Sequence, residues 1–403
     1  GCKCAGVEMK VILNVESLRP PRTGIGIYTQ HLLEQLLRGA RVDRVCGFSG
    51  GQILETARLE SLLLTLASGS EEAAAPSGAP GLSRLRSAVR RIPGAYQLRQ
   101  NARELAMRRV LRAPAREGFV YHEPNYIPLP YPGRLVITVH DLSHIRHPEF
   151  HPRERVEFLE KNLAAGVARA DRILVDSHFV ADEVKDVFRL PDDKVVVTHL
   201  AAERGFHPRS EDDVGDTLRA HGLRHRGYVL SVGTLEPRKN LERLVQAYEA
   251  LPASLRDECP LVLVGARGWR DSQFLSRVQA LEAKGQARRL GYVPRTQLYD
   301  LYAAAAAFAY PSLYEGFGLP VLEAFASGTP VLTSCTTSLK EVSAGSAVEV
   351  DPRSTESLVE GLRSLVGDRS LAERRARAGL ERAKDFSWSK CAEQTVAVYR
   401  ALN

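Results

Sequence analysis

Cysteine, tryptophan and methionine are scarce: the 403 residues include 6 Cys, 2 Trp and 2 Met. The cysteines (Cys2, Cys4, Cys46, Cys259, Cys335 and Cys391) form no CxxC pair, so neither a zinc site nor a disulfide framework is indicated, and a reducing cytoplasm fits. No apolar run reaches the roughly 18 residues of a spanning helix, and no secretory h-region opens the chain. A soluble or peripheral protein is expected. A complete GxGxxG fingerprint is missing, as is a DxD pair placed at a strand end to bridge a diphosphate through a metal. The acidic clusters Asp192-Asp193 and Glu211-Asp212-Asp213 read as loops. The first eight residues, GCKCAGVE, precede Met9 and a clean strand; they read as an expression remnant or upstream read-through and stay outside the fold argument.

What is present points to a globular protein. A 44% hydrophobic fraction is too high for a disordered chain, and at roughly 100 to 200 residues per domain the length favours two domains. The formal net charge of +7 is unevenly placed. Between Leu82 and Gly118 lie Arg84, Arg86, Arg90, Arg91, Arg99, Arg103, Arg108, Arg109, Arg112 and Arg116, against only Glu104 and Glu117. Apolar residues recur there at helical spacing, as Leu85, Val89 and Ile92 and then Leu98, Ala102 and Leu105, with Pro93-Gly94 dividing two predicted helices. Basic amphipathic helices suit an anionic membrane surface; a solvated face over a buried stripe is the other reading. The arginines lack a series of interleaved aromatics, which argues against nucleic acid.

Short β-branched runs alternate with helical stretches, the pattern of βαβ units and parallel sheets. Strands are predicted at Lys10–Val15, Phe119–His122, Leu135–His140, Arg172–Asp176 and Val195–His199. After the polar segment Pro208–Arg226 a second series follows, at Tyr228–Val232, Leu261–Val264, Arg289–Tyr292, Phe308–Tyr310, Val331–Ser334 and Val348–Val350. Helices are predicted at Leu241–Ala250 and Val321–Ala326 among others, and Ala67–Gly81 reads as a flexible loop. The fold class is α/β, with two doubly wound domains joined near residues 205 to 226.

Ligands of such sheets gather beyond the carboxyl ends of the strands. Five strand exits carry candidate chemistry. RTGIGIY, with Gly24 and Gly26 before a helix predicted at Thr29–Leu37, offers close backbone approach and helix N–H groups, or simply a tight turn. TVHD ends a strand in His140 and Asp141, and His140 is suited to donate to a hydroxyl or relay a proton; His122, Glu123 and Asn125 share that edge. VGTLEPRKN places Thr234, Arg238 and Lys239 in a turn stiffened by Pro237 and capped by Asn240, a combination suited to phosphate. YPSLYEGFGLPVLEA sets Glu315 and Glu323 on either side of a glycine-rich turn, where Gly318 and Leu319 N–H groups face an anion and the carboxylates face hydroxyls. That layout matches a nucleotide sugar. Finally, the turn GYVP brings Val293 to where a base edge is read, or marks an ordinary strand end.

These segments together, with ASGTPV after the glutamate pair, resemble the retaining GT-B glycosyltransferases of family four, the large group-one family, over most of residues 9 to 400. The closest flavour is that of the bacterial mannosyltransferases of surface polysaccharide, the O-antigen of lipopolysaccharide. The resemblance implies two Rossmann-like domains facing a central cleft. Residues 9–207 would bind the acceptor, residues 208–384 the donor, and a C-terminal helix in 385–403 would cross back. It implies that Arg238 and Lys239 hold the donor diphosphate, with Gly316, Phe317, Gly318 and Leu319 closing over it. Glu323 would bind the ribose, Glu315 the transferred sugar, Val293 and Thr234 the nucleotide, and Gly24 and Gly26 the crevice wall. His140 would lie beside the reacting carbon, with His122, Asn125 and Asp141 toward the acceptor. Many members carry Arg where this chain has Thr234, so the charge of Arg238 stands in for it. The expected reaction moves mannose or D-rhamnose from a GDP-sugar to a lipid-linked glycan with retention, without metal or other cofactor, at the inner face of the cytoplasmic membrane. A nucleotide-sugar epimerase of the same architecture and an NAD-dependent oxidoreductase are the rival readings.

Overall fold

The computed structural model describes residues 8–19, 24–39, 42–67, 107–266 and 272–403. The first sheet contains β1 (Lys10–Asn14), β2 (Arg44–Ser49), β3 (Gln52–Leu54), β4 (Val120–Glu123), β5 (Leu135–Val139), β6 (Arg172–Val175) and β7 (Val195–Val197). Their order is β3-β2-β1-β4-β5-β6-β7, parallel throughout except where β3 runs antiparallel to β2. The second sheet contains β8 (Val229–Val232), β9 (Leu261–Val264), β10 (Ala287–Gly291), β11 (Ala307–Tyr310), β12 (Val331–Ser334) and β13 (Val348–Val350), all parallel in the order β10-β9-β8-β11-β12-β13. The expected pair of doubly wound α/β domains is therefore what the chain forms.

The inner strands are apolar on both faces because helices cover both. Every residue of β5 (LVITV), β9 (LVLV) and β11 (AFAY) is buried. The helices Arg153–Arg169 and His178–Phe188 pack against one face of the first sheet around Ile137, Leu163, Ile173 and Val180. On one face of the second sheet Val229, Leu244, Leu263 and Leu358 do the same. A third core joins the opposite faces of both sheets through the last helix, Trp388–Ala401. That helix packs on Gly24–Arg38 of the first domain, where Trp388 stacks on His31 at 4.7 Å between ring centroids. The chain thus crosses back as expected.

Four readings change. First, β2 and β3 were absent from the predicted strands: β2 carries Cys46 and Gly47 within a six-residue run and β3 has three residues, so neither shows a clear period. Their hairpin turns at Gly50-Gly51, with φ of 61° and 80°, a conformation glycine adopts at little cost. Second, the polar segment 208–226 holds a helix, Glu211–His221. Its acidic trio is a first turn, not a loop: Ser210 and Asp213 form a reciprocal capping box and the carboxylates face the positive end of the helix. Third, the first helix runs from Gly24 to Arg38, so Gly24 and Gly26 lie in its first turn. Fourth, Asn240 occupies the N-cap position of Leu241–Glu249 at φ 58° without a side-chain cap; its amide instead donates to the Pro311 and Pro352 carbonyls at 3.0 and 2.7 Å.

The predicted loop at 67–81 and the basic helices to Leu105 fall almost wholly outside the described residues. Residues 107–116 are helical, with Met107 and Leu111 buried and Arg108, Arg109, Arg112 and Arg116 exposed. Cys46, Cys259, Cys335 and Cys391 are free thiols. Among the described residues no helix is long and apolar enough to cross a membrane.

Candidate active site

Each sheet reverses its strand order once, between β1 and β4 and between β8 and β11. At such a switch point the adjacent connections leave in opposite directions and open a crevice beyond the carboxyl ends. In the second domain that crevice collects the charged residues. Pro237–Lys239 form one tight turn after β8, and Tyr310–Gly318 leave β11 beside it. The Leu313 N–H donates to the Arg238 carbonyl at 2.9 Å and clamps the two together.

Glu315 sits between the two cations. Arg238 Nη1 donates to Oε2 at 2.6 Å and Lys239 Nζ to Oε1 at 2.7 Å, while the Tyr310 hydroxyl donates to Oε1 at 2.9 Å. Arg238 also donates to the Tyr314 carbonyl at 3.0 Å. All three charged side chains are largely buried, with relative exposures of 16, 13 and 9% for Arg238, Lys239 and Glu315. Burial alone would raise the Glu315 pKa; the two cations overcome it and hold the carboxyl at about 2. Lys239 shifts the other way, pulled below the usual lysine range by burial and by Arg238 against the attraction of Glu315. Glu236 lies 3.8 Å from Arg238 and the Asp141 carboxylate also acts on it, so the two cations are matched by surrounding carboxylates, with Glu315 held between them.

Gly318 precedes the helix Leu319–Ala326 at φ 110°, and Pro320 lies in its first turn, as predicted. Glu323 is buried on that helix. Its Oε1 accepts from Arg295 Nη2 at 3.0 Å, and the same nitrogen contacts Glu203 Oε1 at 2.9 Å. Arg295 follows Val293, which is buried, and opens the helix Arg295–Ala303. Burial works against the Glu203 carboxylate, but His31, Arg295 and Tyr299 bring its pKa down to about 2. Glu203 and Arg295 were not singled out by sequence reasoning. The arginine lies in the segment GYVPRTQ, and only the fold brings it to Glu323. Thr234, expected near the nucleotide, lies exposed at the exit of β8.

The first domain presses its own strand end onto this loop. A Cβ on Gly316 would fall 1.9 Å from the His140 carbonyl oxygen, so only glycine fits. Ser177 Oγ donates to the Gly316 carbonyl at 2.7 Å, and the Leu142 N–H donates to the Tyr314 hydroxyl at 3.1 Å. Asp141 is held by Ser143, whose N–H and hydroxyl donate to Oδ1 at 2.9 and 2.7 Å. Burial pushes its pKa up and the field of Arg238, with the Ser143 bonds, brings it down.

Two histidines depart from expectation. His140 donates from Nδ1 to Asp176 Oδ2 at 2.7 Å and from Nε2 to the Pro124 carbonyl at 2.9 Å. Both ring nitrogens are thus engaged; burial works against a charged ring, and Asp176, with the Pro124 carbonyl, outweighs it and raises the His140 pKa. In this conformation neither N–H is free to serve a substrate hydroxyl. Tyr28 packs edge-on against this ring at 5.1 Å and fixes it from the other side. His122 is wholly buried between Tyr399 and Thr138, at 2.6 and 2.8 Å, and burial lowers its pKa to about 3. It anchors the last helix in the core and cannot reach an acceptor there. Asn125, by contrast, is exposed on a cleft of about 420 Å³ at the first domain's switch point, lined also by Asn14, Glu16, Glu123 and Arg155. Glu123 accepts from Asn14 Nδ2 and the Tyr121 hydroxyl at 2.6 and 3.0 Å, yet burial drives its pKa up to about 8.

Two doubly wound domains that meet over a crevice of buried, paired charges give the chain the layout of a two-domain α/β enzyme. Comparison with known proteins places it further. Residues 218–382 match the model of Glycosyl transferases group 1. The chain is 36% identical to the O-antigen chain mannosyltransferase B of Escherichia coli, over 98% of this chain and all of that protein. Among solved structures it resembles WaaG, a glycosyltransferase involved in lipopolysaccharide biosynthesis, with TM-score 0.65 and 16% identity over 96% of this chain and 99% of that one. It also resembles Anabaena HepE in complex with UDP and glucose, with TM-score 0.67 and 16% identity over 97 and 99%. The chain belongs to the group 1 glycosyltransferases and has their GT-B fold. It is a hexosyltransferase.

Proposed function

We propose that this enzyme transfers mannose or D-rhamnose from its GDP-sugar, with retention of anomeric configuration, to a lipid-linked glycan of a bacterial surface polysaccharide. The observation that carries this reading is the pairing of Arg238 and Lys239 around Glu315 at the second domain's switch point, pressed against Asp141 and the His140 backbone of the first. The relationship to an O-antigen mannosyltransferase supports the sugar and the pathway. In the free enzyme Glu315 supplies the negative charge between the cations; a donor diphosphate takes that place and frees Glu315 toward the sugar. Charge grows on the departing phosphate as the glycosidic bond breaks, and fixed cations in a water-poor crevice stabilise it more than water would. The acceptor hydroxyl approaches the same face, and its proton passes to the leaving phosphate oxygen. Glu323 reads the ribose and Val293 the base, while the cleft at Asn14, Glu123 and Asn125 takes the acceptor glycan. No step needs a metal.

The four exposed arginines of residues 107–116 continue the basic block toward that acceptor cleft, where Met107 also lies. We place this face on the anionic inner leaflet of the cytoplasmic membrane. Product formation with GDP-mannose, GDP-rhamnose and UDP-sugars, in the presence of EDTA and with the product anomer read by NMR, tests the chemistry. An inverted anomer or turnover only of UDP-sugars refutes it. At about 1 kcal/mol per arginine near an anionic surface, neutralising all four should weaken vesicle binding by two to three orders of magnitude. Undiminished binding removes this helix as the anchor.

A further inference from the structure

Among the described residues, three metal-ligating side chains meet where the domains touch, beside the loop that carries Gly316 and Phe317. His178 opens the helix His178–Phe188, His199 follows β7, and Glu341 lies on the helix Thr337–Ser343 of the second domain. Their ligand atoms all lie within 4.8 Å of one another. His199 Nε2 and Glu341 Oε1 are 2.8 Å apart, and the two imidazoles stand edge to face at 5.6 Å. Backbone donors aim the carboxylate: the His178 N–H reaches Oε1 at 3.1 Å and the Phe179 N–H reaches Oε2 at 3.2 Å. Each oxygen has two lone pairs, so these bonds orient Glu341 without saturating it. His178 is exposed and the other two half-buried, so an ion can enter and keep a water.

We infer that His178, His199 and Glu341 form a zinc site that clasps the two domains together. Two imidazoles and one carboxylate with an open fourth position are a donor set zinc accepts, whereas magnesium and calcium prefer oxygen throughout. Tetrahedral bonds of about 2.0 to 2.2 Å put ligand atoms about 3.3 Å apart. Glu341 and His199 therefore separate by about half an ångström, and the exposed His178 ring turns in to complete the set. Because the first domain gives two ligands and the second gives one, the full site exists only while the cleft is closed. Bound zinc holds that arrangement and slows the opening that product release requires.

Calorimetry and bound-metal analysis on the full chain, with ZnCl2 as the probe and MgCl2 as the control, test this. Wild type should bind one more zinc than the H178A/H199A double variant, and H178A alone should bind that ion at least about tenfold more weakly, since even outer-shell partners are worth 10 to 100-fold. Zinc should raise the melting temperature of wild type more than that of H178A at the same zinc concentration, and leave the H178A/H199A double variant unmoved; the exposed position makes H178A a variant whose fold is checked directly by circular dichroism. Saturating zinc should slow nucleoside diphosphate release in wild type, reversed by chelation, and not in the H178A/H199A double variant. Equal zinc uptake by wild type and double variant, or equal binding of magnesium, overturns the site. Binding that leaves release unchanged in wild type overturns the clasp.

Discussion

Gly316→Ala is the sharpest test of how the two domains meet. The new Cβ would lie 1.9 Å from the His140 carbonyl oxygen and 2.9 Å from Asp141 Cβ. Ordinary carbon–oxygen contact needs about 3.4 Å, so the two backbones must part by about 1.5 Å. The obstacle is backbone on both sides, and no rotamer change relieves it. The same movement strains the Ser177 and Leu142 hydrogen bonds that tie the loop to the first domain. A displacement of that size at a reacting centre costs about 100-fold, or about 2.7 kcal/mol of barrier. Since the clash lies between domains, each domain keeps its own core. Nucleoside diphosphate release should therefore fall about 100-fold with little change in melting temperature. Gly367→Ala is the control: it has no atom within 4 Å of the added methyl, and it should match wild type. A Gly316→Ala enzyme within about twofold of wild-type turnover would refute the closed contact as the working geometry.

Glu315→Gln removes the carboxylate that Arg238 and Lys239 share: kcat should fall by about 100-fold while nucleoside diphosphate binds more tightly, as isothermal titration reports, and weaker binding refutes the anion-site reading. Glu123 should make stability fall with pH. Its folded pKa is about 8 against about 4.3 unfolded, so between these values the unfolded chain has lost a proton that the folded one keeps. Stability should drop by up to about 1.4 kcal/mol per pH unit from about pH 4.3 to 8 and level off above, and urea titrations should show that Glu123→Gln abolishes this slope; an unchanged slope refutes the assignment. Tyr399→Phe strips the partner at 2.6 Å from buried His122 and should cost about 1 to 3 kcal/mol in chemical denaturation; a neutral change would show that this bond does not hold the last helix.

Much of the fold is legible in the chain because central parallel strands are apolar on both faces and appear as unbroken runs such as KVILN, LVITV and LVLV. Short edge strands are not, since β2 and β3 lack length and period. The loop after β11 is equally readable: EGFGLPVLE carries its turn, its proline-started helix and both glutamates within one segment. Even the need for glycine at Gly316 is visible only as a glycine; its reason is a carbonyl from the other domain.

Composition, the apolar runs and the turn motifs therefore determined by themselves that there would be two doubly wound domains, that an adjacent Arg-Lys pair would follow β8 and that two glutamates would flank the glycine-rich turn after β11. These features are local, set by propensity and by residues a few positions apart. Tertiary structure alone decided which partners those residues have. It set Arg238 and Lys239 on Glu315, tied Arg295 to Glu323 and Glu203, locked both nitrogens of His140, withdrew His122 into the core and gathered His178, His199 and Glu341. His199 and Glu341 are 142 residues apart, and such a contact exists only once two independently patterned domains have closed on each other.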